Sequence, residues 1–205
     1  KINSINEYIV VGKYCRFYDE PKLKNIDFNI YGGVLSDDIG LGKTFSLISL
    51  IYEKLDKKKS PSLVISPSRL CKQWYEEINI SCKLNVKIIS SIDQFTCLTF
   101  DDFYSYDVII LSYNFLLSKS YTNYCLCYPN KDILLHNFKW ERVILDEAHE
   151  FINKSCIKKV RNREIIKYLK TLSYNYIWLC TGTPFATYED SWHIISFLCN
   201  LNSDL

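Results

Sequence analysis

From Gly32 onward, short apolar runs alternate with segments whose apolar residues recur at helical spacing. Val34-Leu35 leads into Lys43–Leu55, where Leu47, Ile48, Leu50 and Ile51 share one helical face ahead of the basic turn Lys57-Lys58-Lys59. Ser62-Leu63-Val64-Ile65 reads as a buried strand closed by Pro67, and Ser68 is the expected N-cap of a helix through Ile80. Val86–Ile89, Val108–Leu111 and Arg142–Leu145 are further β-branched runs, the last followed by a predicted helix around Cys156–Leu172. Tyr176–Cys180 is the last predicted strand and Tyr188–Leu201 the last helix. Strands apolar on both faces and alternating with helices imply an α/β fold, a mainly parallel sheet between two helical layers. The segment 118–139 breaks this rhythm: it is polar, rich in Tyr and Asn, contains Pro129, and is expected to be a surface insertion. In such sheets ligands sit beyond the carboxyl ends of the strands, so the residues after each strand are the place to look for chemistry.

Composition narrows the class without naming a function. The 205 residues suffice for one ordinary domain, and 48% apolar with 15% aromatic residues exclude intrinsic disorder. With 25 basic against 23 acidic side chains, the net charge of +2 announces neither a nucleic-acid binder nor a membrane-surface protein. The chain holds no methionine, as expected of a piece cut from a longer protein. Twenty lysines against five arginines and only two alanines indicate AT-rich codon usage. The nine cysteines include no C-x-x-C pair, and only Cys125-x-Cys127 comes near zinc-ligand spacing, so free thiols in a reducing compartment are expected. No run reaches the roughly 18 apolar residues of a membrane span, and no signal peptide is visible.

Three strand ends carry candidate chemistry. Asp37-Asp38-Ile39-Gly40-Leu41-Gly42-Lys43-Thr44 has a phosphate-loop ending. Backbone N–H groups of Asp38, Gly40, Leu41, Gly42, Lys43 and Thr44 would curl round phosphate oxygens, Lys43 would reach the β- and γ-phosphates of ATP, and Thr44 would ligate Mg²⁺. The full pattern asks for glycine where Asp37 stands, which argues against a kinase or small GTPase and for a helicase-type loop. After Val143-Ile144-Leu145 come Asp146-Glu147-Ala148-His149: Asp146 to hold Mg²⁺, Glu147 to orient the water that attacks the γ-phosphate, and His149 as a polar link to the neighbouring strand end. That neighbour is Thr181-Gly182-Thr183-Pro184, suited to relay nucleotide state to a second ligand.

Taken together, these residues resemble a family. Gly32–Thr44, then Leu63-Val64-Ile65-Ser66-Pro67 with Gln73-Trp74, then Asp107–Ile110 with Ser112-Tyr113, then Trp140–His149, then Thr181–Pro184, resemble motifs I, Ia, Ib, II and III of Swi/Snf-type ATPases in helicase superfamily 2. Within that family, Asp37-Asp38 and the Trp-x-Arg-Val-Ile-Leu lead into Asp146 look most like the helicase-like transcription factor and postreplication-repair branch. The resemblance implies the N-terminal RecA-like lobe, a three-layer α/β/α unit over 32–205, of an ATP-driven translocase on double-stranded DNA that remodels protein–DNA complexes in chromatin, repair or transcription. It implies catalytic Lys43, Asp146 and Glu147 and coupling through His149, Thr181, Gly182 and Thr183. DNA phosphates would meet Ser66, Pro67, Ser68, Arg69, Ser112 and Tyr113, contacts that position without reading sequence. A second RecA-like lobe, absent from this chain, would supply arginines for hydrolysis, so this lobe alone is expected to turn over poorly. Chromatin or repair proteins are expected partners, and a membrane is not. The resemblance implies a nuclear protein, or one of a cytoplasmic viral factory or virion if the source is the large DNA virus that, like a protist, the codon bias would suit.

The chain departs from the family pattern at three places: no Gln precedes Gly32 to read adenine, Phe185-Ala186-Thr187 follows the Thr-Gly-Thr-Pro run, and Glu150 replaces the usual Arg after the histidine. An RNA helicase, a restriction-type translocase or a catalytically silent interaction module are the rival expectations. RNA helicases, however, resemble Ser-Ala-Thr where this chain has Thr181-Gly182-Thr183. Lys159, Arg163, Lys167 and Lys170 are expected on one helical face that is chiefly solvated.

Overall fold

The computed structural model describes residues 31–38, 40–53, 60–128, 134–153, 156, 159–183 and 187–199. Six strands form one sheet in the order β1-β6-β5-β2-β4-β3, every neighbouring pair parallel. They are β1 (Gly32–Leu35), β2 (Ser62–Ser66), β3 (Val86–Ile89), β4 (Val108–Ser112), β5 (Lys139–Asp146) and β6 (Ser173–Cys180). All carboxyl ends therefore lie along one edge, as the α/β reading requires.

Side chains alternate across the central strands, and both faces are buried. Leu63, Ile65, Ile109, Leu111, Val143 and Leu145 enter one core. Val64, Val108, Ile110 and Ile144 enter the other, beneath α1 (Lys43–Glu53) and α2 (Cys71–Ser81). The larger core is covered by α3 (Ile92–Thr96), α4 (Phe100–Ser105), α5 (Tyr113–Leu116), α6 (Lys119–Cys127), α7 (His149–Ile152), α8 (Val160–Leu169) and α9 (Tyr188–Leu198).

Several boundaries differ from the sequence expectation, each for a tertiary reason. β5 and β6 are longer than their apolar runs because they pair with each other from Lys139↔Ser173 to Asp146↔Cys180, with Asn175 donating to Glu141 at 2.7 Å. β1 begins at Gly32, where φ is +135° and an added Cβ would stand 1.6 Å from the Ile177 carbonyl oxygen; only glycine allows that approach. Ser68 does not cap α2: residues 67–70 make a turn closed by Leu70 N–H to Pro67 O, and the Ser68 hydroxyl accepts from Asn114 instead. The predicted helix at 156–172 is α8 at Val160–Leu169, and α9 ends at Leu198.

The largest correction concerns 118–139. Ser118 caps α6, whose Tyr121 and Tyr124 are buried against Phe95, and Leu134, Leu135 and Phe138 are buried as well. The polar look came from tyrosines, whose rings fill a core while the hydroxyl finds a partner: Tyr121 and Tyr168 share a hydrogen bond at 2.5 Å. Among the described residues Cys71, Cys82, Cys97, Cys125, Cys127, Cys180 and Cys199 form no disulfide, and no helix is long and apolar enough to cross a membrane.

Candidate functional site

The loop after β1 turns back on itself before α1. Gly40 and Gly42 have φ of +87° and +76°, left-handed values that leave glycine as the unstrained choice, and Lys43 opens the helix. Lys43 Nζ donates to the carbonyl oxygens of Asp37 and Asp38 at 2.8 and 2.9 Å, so the lysine folds over its own loop where phosphate oxygens would otherwise attract it. Gly40, Lys43 and Thr44 line a cavity of about 460 Å³ together with Asp146, Glu147, His149, Gly182 and Thr183. Residues from the ends of β1, β5 and β6 thus meet in one space because those three strands are adjacent in the sheet. Asp38 and Leu41 shape the turn through Leu41 N–H to Asp38 O at 3.3 Å, and Leu41 is exposed.

Asp146 ends β5 and is 7% exposed. Its Oδ2 accepts from the Trp74 indole at 2.8 Å, its Oδ1 from Glu147 N–H at 3.0 Å, and the Cys180 thiol also bonds to it. Burial pushes its carboxyl above the usual carboxylate range; those donors and the Lys43 charge pull in the opposite direction. Glu147 has φ +52°, a left-handed conformation that disfavours a glutamate by about 1–3 kcal/mol. Hydrogen bonds on both sides hold it there: Glu147 N–H to Asp146, and Ala148 N–H to Cys180 O at 3.1 Å. His149 Nδ1 lies 2.8 Å from Thr181 Oγ1 and 3.3 Å from Glu147 Oε2, so a proton on that nitrogen serves both oxygens. Thr181 Oγ1 also accepts from Thr183 N–H at 3.1 Å, which closes the turn after β6, while the contact to His149 ties that strand end to the one after β5. The donor set fits a hard divalent cation: Thr44 and Asp146 offer oxygens to one cavity. Among the described residues no cluster of three or more His, Cys, Asp or Glu side chains could hold a metal by itself.

The expected DNA contacts divide into two groups. Ser66, Ser112 and Tyr113 are buried, and their side chains face inward. Ser66 Oγ lies 3.3 Å from Cys71 Sγ, Ser112 Oγ accepts from Phe115 N–H to cap α5, and Tyr113 OH donates to Asp146 O at 2.9 Å. Pro67, Ser68 and Arg69 line a second cavity of about 460 Å³ with Asn114, Glu150 and Arg161, and the buried Tyr113 forms part of its wall. There Arg69 pairs with Glu150 at 3.0 Å, Asn114 donates to Ser68 at 2.9 Å, and Arg161 donates to Asn114. Arg69 reaches the first cavity too, and its guanidinium is held more firmly protonated by Glu150 first and by the Glu147 and Asp146 charges behind it.

A family model described as the SNF2-related domain matches residues 21–202. The chain belongs to the SNF2-related domain family. It is 29% identical over 177 residues to the chromatin structure-remodeling complex protein SYD of Arabidopsis thaliana, covering 83% of this chain and 4% of the relative. To chromodomain-helicase-DNA-binding protein 7 of Homo sapiens it is 27% identical over 212 residues, covering 96% of this chain and 6% of that protein. To putative helicase 172L of Invertebrate iridescent virus 6 it is 28% identical over 210 residues, with 83% and 33% covered. The chain is also similar to the Sulfolobus solfataricus SWI2/SNF2 ATPase core in complex with dsDNA, with a TM-score of 0.59 at 25% identity, over 82% of this chain and 31% of that one. It therefore spans a small part of the length of these relatives.

In this SNF2-related domain, the residue that sequence reasoning missed is Trp74. Its place beside Gln73 was visible as a motif, but not its bond to Asp146, which lies 72 residues away along the chain. No period reports such a contact. Gln73 likewise lines the first cavity, with its amide donating to Glu77 at 2.7 Å.

Proposed function

We propose that this SNF2-related domain is the ATP-binding lobe of a DNA-dependent ATPase that translocates on double-stranded DNA and remodels protein–DNA complexes. The observation that carries this reading is the single cavity shared by Lys43, Thr44, Asp146 and Glu147. Backbone N–H groups of the glycine loop bind the phosphate chain, and Lys43 exchanges the Asp37 and Asp38 carbonyls for β- and γ-phosphate oxygens. Thr44 and Asp146 would hold Mg²⁺, which would neutralise charge on the phosphates. Glu147 orients and polarises the attacking water, and its fixed, left-handed backbone keeps that carboxylate aimed without reorganisation. His149 meets the Glu147 carboxylate and is itself held by Thr181 from the end of β6.

Duplex DNA meets the second cavity, where Ser68, Arg69 and Asn114 offer hydroxyl, guanidinium and amide groups to phosphates. Backbone amides after β2 and β4 take the part expected of Ser66, Ser112 and Tyr113, whose side chains are turned inward. The solved relative bound to dsDNA supports this choice over RNA, as does Thr181-Gly182-Thr183 in place of the RNA-helicase Ser-Ala-Thr. A second RecA-like lobe supplies arginine for hydrolysis, an arginine finger being worth roughly 10³–10⁵ in rate. Chromatin-remodelling relatives suit a nuclear protein and the viral helicase a cytoplasmic factory; within the family, Asp37-Asp38 supports the postreplication-repair branch.

Binding of a fluorescent ATP analogue by this chain, and ATP turnover by the two-lobe parent protein with duplex DNA or RNA added, test this reading. Lys43→Ala is expected to remove nucleotide binding, and Glu147→Gln to keep binding while removing turnover. Equal stimulation by RNA and DNA, or full turnover in Glu147→Gln, would refute it.

A further inference from the structure

Trp74 lies one turn into α2, 1% exposed, with its indole N–H on Asp146 Oδ2 at 2.8 Å. An indole N–H can only donate, and a buried donor left without a partner is unfavourable by about 1–3 kcal/mol, so the Asp146 carboxylate oxygen satisfies a donor that would otherwise destabilise this core. The other carboxylate oxygen, Oδ1, accepts from Glu147 N–H at 3.0 Å. Donors thus engage both oxygens of a side chain whose terminal torsion is otherwise broad. The remaining lone pairs are available to the cavity that also contains Thr44 and Lys43.

Trp140 supplies an internal comparison. It is just as buried, and its indole N–H also finds an acceptor at 2.8 Å, but that acceptor is the backbone carbonyl of Leu135. One tryptophan satisfies its donor within the scaffold; the other places it on the carboxylate of the candidate metal site. Resting on the reading of that site given above, we propose that Trp74 is a positioning residue: its indole N–H orients the Asp146 carboxylate for the magnesium ion of the bound nucleotide. Groups that orient a metal ligand from behind typically matter 10–100-fold in metal affinity.

Trp74→Phe keeps an aromatic ring and removes the N–H. Binding of a fluorescent ATP analogue is followed in EDTA and across a Mg²⁺ titration. The variant is expected to bind as the parent chain does in EDTA, and to need roughly 10–100-fold more Mg²⁺ for half of the Mg²⁺-dependent tightening. Trp140→Phe, the control, is expected to lower the unfolding temperature and leave that midpoint in place. An unchanged midpoint in Trp74→Phe, or equal weakening with and without Mg²⁺, overturns the proposal.

Should Trp74→Phe fail to fold, the unmodified chain carries the test through its indole ¹H–¹⁵N signals. The Trp74 signal, assigned by substituting the other three tryptophans, is expected to shift when Mg²⁺ joins the nucleotide while the Trp140 signal stays. A stationary Trp74 signal overturns the proposal equally. If the unmodified chain shows no Mg²⁺-dependent nucleotide binding, the reading of the site fails and this inference with it. If that binding is present and only the Trp74 results fail, the site stands without it.

Discussion

Glu150 pairs with Arg69, one of the residues proposed to meet DNA phosphates. Arg69 Nη2 and Glu150 Oε1 are 3.0 Å apart, with side chains 63% and 41% exposed. In bulk water that separation is worth about 1.4 kcal/mol of attraction, but ordering two long side chains reduces exposed pairs to about 0.2–1 kcal/mol. A phosphate that takes Arg69 must replace this pair, and it also meets the Glu150 carboxylate, a like charge worth about 1 kcal/mol of repulsion at 4 Å. Glu150→Gln removes both effects, a change of about 1–2 kcal/mol that corresponds to roughly 5- to 30-fold tighter binding. Anisotropy of a labelled duplex measures it. The gain is expected near 0.05 M salt and should largely vanish towards 1 M, where the screening length falls to about 3 Å. In an Arg69→Ala background the gain should shrink to its repulsive part, as a double-mutant cycle would report. Unchanged affinity at low salt, or the same gain at both salt concentrations, would show that Glu150 does not compete with phosphate.

Two further substitutions test the scaffold. Phe95 is fully buried and touches Phe103, Phe115, Tyr121 and Tyr124, so Phe95→Ala is expected to lower stability by about 3–5 kcal/mol in urea unfolding. A loss below about 1 kcal/mol would mean that α6 is not part of the core. Gly32→Ala sets a methyl group 1.6 Å from the Ile177 carbonyl at a left-handed φ, so a loss of about 3 kcal/mol or more is expected from unpairing β1 from β6. Retained stability there would contradict the close β1–β6 approach.

The chemistry-bearing positions were legible because they depend on local order: an apolar run sets a strand, and the next few residues stand at its carboxyl end. Lys43, Thr44, Asp146, Glu147 and His149 all lie on the carboxyl edge, around one cavity. The tyrosine-rich segment looks polar by residue type, whereas Tyr121 buries its ring and shares its hydroxyl with Tyr168. Tyr113 and Ser66 were expected at DNA on motif position alone; their burial follows from how α2 and α5 pack over the strand ends.

By itself the sequence determined the alternation of strands and helices, the mainly parallel character of the sheet and the residues of the phosphate loop and carboxylate pair, since each rests on spacing within a few residues. Only the tertiary structure decided which strands are neighbours, and with that which ends meet. The order β1-β6-β5 sets Thr181 beside His149 and Glu147, and the packing of α2 on the sheet brings Trp74 to Asp146. Such contacts depend on closing long loops against a shared core, and no local pattern encodes where those loops close.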